Sequence, residues 1–568
     1  MTLPIVSSLM KKKKQPSLVL TLSVAGLLIG VGSAAYWFFT QGQPFSRNLP
    51  VGANIIPQDA LLTISVTTDN QEWGKLRELG TVATQREIEK NLTQLQKRFL
   101  TNNGYNFEKD IKPWVGDEVT IAVLPRAIVN DTSQPKSTDQ NIYKQSMIMV
   151  LPIKKPEVAN SAFMQNKLQN QGKLVEHKYQ GITITQKQGN PGEKLSAAVI
   201  NQQFMLITDD IKTMERTINS FKNQTSLSRL TGFAENFSKI SNYKPFAQFY
   251  INVPTAAKIA AQTPNRALPN QVLTQLQNNQ GLAGNITLEP QGIRLKGVSW
   301  LNSHSRRVLA VENKAGSMQN RLPRETLMMF SGSNLNHFWT DYISTSKGNP
   351  LAPFNPEELK KSVKSLINLD LEQDLLSWMT GEFSIAVIPN SSNDATPDNF
   401  RVGLVFMIKA GNPQGERRKL AETTLEKLDN VVKNQYQFKV ESATVVGKSV
   451  VNWISPFGTL TATHGWLDEE LLFFVLGAPI TEKIITKPNQ TLASNFLFQQ
   501  TVPQELNPAN SLFFLDMERV VNNFSFNRGL SNQQAFLSAI KTVGVKTAVK
   551  DNRSQQYDVV LKLKKVKN

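Results

Sequence analysis

Short apolar runs bounded by turn residues recur along the first half of the chain, and this pattern is typical of β-strands. Strands are predicted at residues 61–66, 119–124, 147–153, 182–185, 197–200, 204–208, 246–253, 284–288 and 293–300. Helical spacing of apolar residues predicts helices at residues 72–100, 107–115, 157–171, 211–221 and 255–279. Because short turns rather than crossover helices separate most strands, we predict an α+β fold with largely antiparallel sheet and flanking helices.

The same pattern occurs twice in the chain. Residues 107–125 align without a gap with residues 371–389, and eight of the 19 positions are identical. Three further pairs of segments match in the same order, namely residues 57–73 with 323–339, residues 204–218 with 471–485 and residues 249–253 with 513–517. The sequence therefore predicts two tandem homologous units at residues 51–314 and 315–568, joined within the polar stretch 302–320.

An uncharged apolar run of 22 residues lies at residues 18–39, before the repeats. A helix of that length rises roughly 33 Å, enough to cross a hydrocarbon core of about 30 Å. Four lysines at residues 11–14 resist translocation, which keeps the N-terminus in the cytoplasm and sends the rest across. We predict a cytoplasmic tail at residues 1–17, a transmembrane helix at 18–39 and a linker at 40–50. The alternative is a cleaved signal peptide, whose apolar region is usually shorter.

Composition is that of a globular chain, with 40% hydrophobic and 19% charged residues. The absence of cysteine excludes disulfides, a thiolate nucleophile and a cysteine-ligated metal. The net charge is +18, of which +13 remains after residue 50. Such a basic surface either aids solubility or attracts lipid headgroups, a cell-wall polymer or an acidic protein. Nucleic acid is disfavoured as a partner, because the predicted topology exports the charge and the cations form no cluster.

Three features together resemble a known family. They are residues 55–73 (IIPQDALLTISVTTDNQEW), the block that ends in residues 114–118 (WVGDE), and the lysine-rich N-terminal anchor. These are similar to the cyanobacterial DUF3352 proteins, over nearly the whole chain after the anchor. The resemblance implies a membrane-anchored protein without an assigned activity. It further implies an inner (plasma) or thylakoid membrane, with the bulk of the chain in the periplasm or thylakoid lumen, and it supplies no catalytic residues.

Motifs for catalysis or cofactor binding are not found. The four histidines, His177, His304, His337 and His464, lie far apart and show no metal-ligand spacing. Residues 344–347 match S-x-x-K, but the partner motifs of that serine chemistry are absent. No nucleotide-binding loop occurs. We therefore predict no catalytic, cofactor-binding or metal-binding residue and no cofactor.

Two acids recur in both units, as Asp110/Asp374 and Glu118/Glu382. Paired carboxylates can perform acid–base chemistry if the fold brings them together. An aspartate in a first helical turn, however, also favours the positive end of the helix dipole. A glutamate at a helix-to-strand turn can accept hydrogen bonds from free backbone N–H groups. The pattern favours these structural roles.

The aromatic residues either belong to the core or contribute to a binding surface. Trp114 and Trp378 recur in the two units and are expected in the core, although an indole at a cleft rim can stack on a ring ligand. The second unit adds adjacent aromatics at residues 473–474, 496–498 and 513–514. These either fill the core or line an apolar cavity or docking face.

The predictions together favour a non-enzymatic, membrane-tethered module that binds or scaffolds a partner outside the cytoplasm. That partner would be a membrane protein complex, an anionic membrane surface or an envelope polymer. One alternative is a hydrolase of envelope material, which requires Glu118 or Glu382 to face a cleft beside another acid. Another is a carrier of a hydrophobic ligand such as a lipid or pigment, which requires an internal apolar cavity.

Overall fold

The structure is a computed structural model that describes residues 49–125, 145–159, 173–188, 195–240, 244–261, 278–346, 355–390, 401–486, 488–523 and 534–566. The predicted cytoplasmic tail and transmembrane helix lie outside these residues, as does most of the linker. Among the residues that are described, no helix is both long enough and apolar enough to cross a membrane.

The described chain contains a 20-stranded sheet in which every neighbouring pair is antiparallel. The strands are β1 Leu62–Thr67, β2 Glu118–Leu124, β3 Ser146–Pro152, β4 Lys173–Tyr179, β5 Ile182–Gln188, β6 Leu195–Ile200, β7 Phe204–Thr208, β8 Ala247–Asn252, β9 Asn279–Glu289, β10 Gly292–Leu301, β11 Met328–Gly332, β12 Phe383–Pro389, β13 Val402–Lys409, β14 Lys439–Val445, β15 Lys448–Ile454, β16 Leu460–Trp466, β17 Leu471–Gly477, β18 Ser511–Asp516, β19 Ile540–Asp551 and β20 Ser554–Leu563.

The order of the strands has two matching halves. The first half runs β4-β5-β6-β7-β3-β2-β1-β8-β9-β10. The second half continues β20-β19-β18-β11-β12-β13-β17-β16-β15-β14, which is the same order read from the other edge. The halves meet where β10 pairs with β20, with Lys296 opposite Asp558. We call this pairing the seam.

Helices flank the sheet on both faces. They are α1 Asn70–Glu78, α2 Val82–Phe99, α3 Pro156–Ala159, α4 Ile211–Lys222, α5 Phe233–Ser238, α6 Val253–Ala261, α7 Leu335–Ser346, α8 Pro356–Ile367, α9 Glu416–Tyr436, α10 Thr481–Ile485, α11 Phe496–Thr501, α12 Met517–Asn523 and α13 Gln534–Ala539. Short 3₁₀ helices lie at Thr101–Asn103, Leu227–Arg229, Met318–Asn320 and Leu492–Ser494, and π-helices lie at Phe107–Ile111 and Leu371–Leu376.

Successive side chains of a strand point to opposite sides, and buried apolar clusters lie on both faces of the sheet. We call face A the side that carries Ile64 and Leu561, and face B the side that carries Tyr250 and Val298. A hydrophobic cluster on face A joins Ile64 and Trp114 of the first half to Leu561 of the second. The two halves therefore share a core across the seam.

Most of the predicted strands are present within a few residues, and the prediction of mixed helices with a large antiparallel sheet is confirmed. The predicted helix at residues 72–100 is two helices. Gly80 has a φ of 96°, which favours glycine, and it separates α1 from α2. Thr81 then caps α2 by accepting a hydrogen bond from the Thr84 backbone N–H.

Four further segments differ from the predicted secondary structure or are only partly described. Residues 107–115 begin with a π-helix, Phe107–Ile111, in place of an α-helix. The predicted helix at 157–171 is described only within α3, and the remainder lies outside the described residues. The predicted helix at 255–279 is described only at its two ends, since residues 262–277 lie outside the described residues. Residues 255–261 belong to α6, and residue 279 belongs to β9. Strand β4 was not predicted, because its charged residues mask the apolar alternation.

Candidate functional site

The repeated aspartates lie at the start of the two π-helices. Asp110 Oδ2 accepts a hydrogen bond from the Asn106 backbone N–H at 2.6 Å, and Asp374 Oδ2 accepts one from the Asp370 backbone N–H at 2.8 Å. The Asp370 backbone N–H and the Lys427 ammonium lower the pKa of Asp374. Both carboxylates therefore close a helical turn, which satisfies a backbone N–H that the helix leaves unpaired.

Glu382 at the helix-to-strand turn is also tied to the backbone. Its Oε1 accepts hydrogen bonds from the backbone N–H groups of Gly316 at 2.8 Å and Ser317 at 2.7 Å. Its Oε2 accepts from the Ser317 hydroxyl and from Lys409 Nζ, the latter at 2.8 Å. Burial alone raises the pKa of this carboxyl, but the bonds from Lys409 and Ser317 bring the pKa below its usual value. Glu382 is therefore ionised at neutral pH.

The same group contains a serine and a lysine in contact, since Lys409 Nζ lies 2.9 Å from Ser317 Oγ. A lysine can activate a serine only when its amine is neutral and accepts the hydroxyl proton. Here the Lys409 side chain is already paired with the ionised Glu382 carboxylate at 2.8 Å. The arrangement therefore holds the segment before β11 against β12 and β13, and its three side chains are engaged with one another. Glu118 has the matching place in the first half, at the start of β2.

The most buried histidine joins a helix to the sheet. His464 Nε2 lies 2.9 Å from Asp429 Oδ1, and the Trp453 indole donates to the same oxygen at 2.6 Å. His464 also stacks on Phe474, with ring centroids 5.7 Å apart. The contact attaches α9 to β15 and β16. His177, His304 and His337 lie elsewhere, and the described residues contain no group of three or more acids and histidines that could hold a metal ion.

A small cleft lies between the segment after β10 and helix α7. Its volume is about 80 Å³, and its polar lining includes Arg307, Glu312, His337 and Asp341. Arg307 pairs with Asp341 at 3.3 Å and His337 with Glu312 at 3.0 Å. Pockets for drug-sized ligands usually measure about 300–1,000 Å³ and are mostly apolar. This cleft suits neither a lipid nor a pigment, and neither Glu118 nor Glu382 lines it.

A network of charges at the seam was not predicted. Arg294 of β10 donates to both carboxylate oxygens of Asp558 on β20, at 2.9 and 2.6 Å. The Asp558 side chain is only 1% exposed, and its bond to Arg294 raises the pKa of the guanidinium. A buried carboxylate of this kind is stable only when it is paired and hydrogen-bonded. The pair therefore couples the two halves directly.

Further groups extend this network on face B. Glu505 accepts from Arg294 at 2.9 Å and from Lys296 at 2.5 Å, and the Lys296 bond above all lowers the pKa of Glu505. Lys546 of β19 donates to the Asn507 side chain at 2.8 Å, and burial lowers the pKa of its ammonium. Each cation of the network is thus bound to an acid or to an amide, and these bonds hold the two halves together at the seam. In the sequence, only the charged residues that alternate along β10 indicate this network.

Comparisons with known proteins give a family and little more. The family model "Protein of unknown function (DUF3352)" matches residues 21–563, and the chain belongs to this family. No curated protein matches the chain. Crystal forms I and IV of TP0453 are similar structures at 10% identity and TM-scores of 0.24, covering 44% of this chain and 79% of theirs. These TM-scores are too low to support an argument about fold or function. The cyanobacterial origin stays a prediction.

Proposed function

We propose that this chain is a membrane-tethered scaffold that binds a partner outside the cytoplasm and consists of two tandem copies of one α+β unit. The span at residues 18–39 holds it in an inner or thylakoid membrane with the N-terminus in the cytoplasm. The folded bulk then lies in the periplasm or thylakoid lumen. Its partner is a membrane protein complex, an anionic membrane surface or an envelope polymer.

The continuous sheet is the main observation that supports the proposal. Its 20 strands form one antiparallel array, and neighbouring strands lie about 4.8 Å apart, so the array extends roughly 90 Å along its hydrogen bonds. A cluster on face A crosses the seam, which favours one body over two hinged ones. A wide, rigid platform suits the task of holding a partner. The matching order of strands supports the tandem copies.

The enzyme and carrier alternatives receive less support. Glu382 accepts hydrogen bonds from the backbone and from Lys409, so its carboxylate is already engaged. The cleft beside α7 is small and polar. Neither feature provides the carboxylate-lined cleft of a hydrolase or the apolar cavity of a lipid carrier.

Purification of the tagged full chain from cross-linked, detergent-solubilised membranes tests the proposal. A matched control carries residues 1–50 fused to an unrelated soluble domain, so that partners of the anchor alone are subtracted. We expect one set of proteins, lipids or polymers to copurify reproducibly with the full chain and not with the control. Recovery of the same material with both proteins would contradict a scaffold formed by the folded part.

A further inference from the structure

The predicted tether reaches the folded part on face B. Leu49 begins the described chain, and it packs against a cluster on that face that includes Phe233 and Trp300. The predicted span ends at residue 39, so nine residues separate it from Leu49. The ten Cα–Cα steps from residue 39 to Leu49 reach at most about 36 Å. With the span where we propose it, the part of face B beside Leu49 therefore lies close to the bilayer.

An exposed apolar pair lies on the same face, across the seam. Phe496 and Leu497 begin α11 and are 62% and 40% exposed. The opposite side of α11 packs on the sheet, since Phe498 contacts the Phe514 ring with centroids 5.2 Å apart. Thr501 also shares a hydrogen bond of 2.6 Å with Thr542 of β19. Phe496 and Leu497 therefore face away from the sheet, on the side where the tether emerges.

The matching helix of the first half does not expose its aromatic residue. Helix α5 has the place in the first half that α11 has in the second, between a 3₁₀ helix and the following strand. Its first residue, Phe233, is fully buried, and its ring centroid lies 5.0 Å from that of Tyr250. Phe498 has the corresponding place in α11, because it is only 4% exposed and packs on Phe514 in the same way. The exposed Phe496 is therefore an additional ring that α5 does not have.

A cation lies beside the exposed pair. Arg324 is exposed, and its carbonyl accepts a hydrogen bond from the Asn495 side chain at 2.8 Å, directly before Phe496. Its guanidinium donates to the exposed Gln490 side chain at 2.7 Å, a neutral partner that leaves its charge uncompensated. Aromatic side chains favour the headgroup region of a bilayer, and basic side chains are attracted to anionic headgroups. The pair and the arginine together have the chemistry of a membrane-surface contact.

We propose that Phe496 and Leu497 contact the headgroup region of the membrane that holds the span, with Arg324 facing the lipid phosphates. Face B is then the membrane side, and face A is left for the partner. This inference rests on the proposed tether and adds the orientation of the folded part. Phe338, which is 47% exposed and packs with Phe330 on face A, offers a matched control.

The absence of cysteine makes a direct test possible. Phe496→Cys and Phe338→Cys full-length chains are labelled with an environment-sensitive dye and reconstituted into phosphatidylcholine vesicles, with or without phosphatidylglycerol. We expect the dye at position 496 to shift to the blue and to lose fluorescence when nitroxide-labelled lipids are present. The dye at position 338 should do neither. Leu497→Cys is the reporter if Phe496→Cys does not fold.

Several results would overturn the proposal. Equal quenching at positions 496 and 338, quenching at 338 alone, or quenching at neither contradicts docking of face B. Arg324→Gln should reduce quenching at 496 in anionic vesicles, and unchanged quenching there would refute the role of the arginine. Carbonate extraction of the same vesicles separates the two proposals. A chain that is extracted refutes the tether, whereas a retained chain with an unquenched label refutes only the docking surface.

Discussion

The two halves of the molecule have the same order of strands, but different contacts stabilise their equivalent positions. In the first half, the Trp114 indole donates to the Asp110 carbonyl at 2.6 Å. In the second half, the Trp378 indole is as deeply buried and has no hydrogen-bond partner among the described residues. The second half instead adds the Glu382–Lys409 pair. Equivalent positions of the two halves are therefore stabilised by different contacts.

We expect the largest loss of stability from a substitution at the seam. Asp558→Ala removes the buried one of the two carboxylates that bind Arg294, whose side chain is only 18% exposed. Loss of one partner of a buried ion pair usually costs about 3–5 kcal/mol. We expect a decrease of this size in the free energy of unfolding, measured by urea denaturation of the detergent-solubilised chain.

Glu505→Gln is the control for that measurement, because Glu505 binds the same arginine from an exposed position. Exposed ion pairs contribute about 0–1 kcal/mol. We expect the two substitutions to differ clearly. A cost for Asp558→Ala no larger than that of Glu505→Gln would show that the seam does not depend on its buried carboxylate.

Acid should weaken the second half through Glu382. The pKa of this carboxyl is lowered in the folded chain, so its contribution is present above the unfolded pKa of about 4.3 and disappears as the pH falls below it. Glu382→Gln should cost about 1–3 kcal/mol at pH 7, because hydrogen bonds to a charged group are lost. Urea midpoints at pH 7 and at pH 3 check this. Equal costs at both pH values would contradict the role of the charge.

A smaller effect should distinguish the two tryptophans. Trp114→Phe deletes a donor whose partner is the buried Asp110 carbonyl, whereas Trp378→Phe deletes a donor without a described partner. We expect Trp114→Phe to be the costlier substitution, by about 1 kcal/mol. The difference between their urea midpoints measures it. A larger cost for Trp378→Phe would mean that its indole has a partner beyond the described residues.

The strands could be predicted well from local sequence, because each one is a short apolar run bounded by turn residues. Residues 107–125 and 371–389 align without a gap, and each forms a π-helix followed by a strand. The π-helix itself was not predictable, since its spacing on a short segment is close to that of an α-helix. The break at Gly80 was missed because α1 and α2 continue one apolar pattern on either side of it.

The seam was not predictable from local pattern at all. Arg294 and Asp558 are 264 residues apart, and nothing in the sequence indicates which two strand edges meet. The roles of the repeated acids were easier to judge, because an acid at a turn has nearby N–H groups to accept from. Glu382 follows that expectation, but its partners Ser317 and Lys409 come from distant segments.

A rigid scaffold requires the two halves to unfold as one body. Hydrogen–deuterium exchange of the full chain, with and without Asp558→Ala, tests this most directly. We expect the substitution to lower amide protection in β1 and β2 as much as in β11 and β12, since the halves share a core across the seam. Loss of protection confined to one half would show two independent domains and contradict a rigid scaffold.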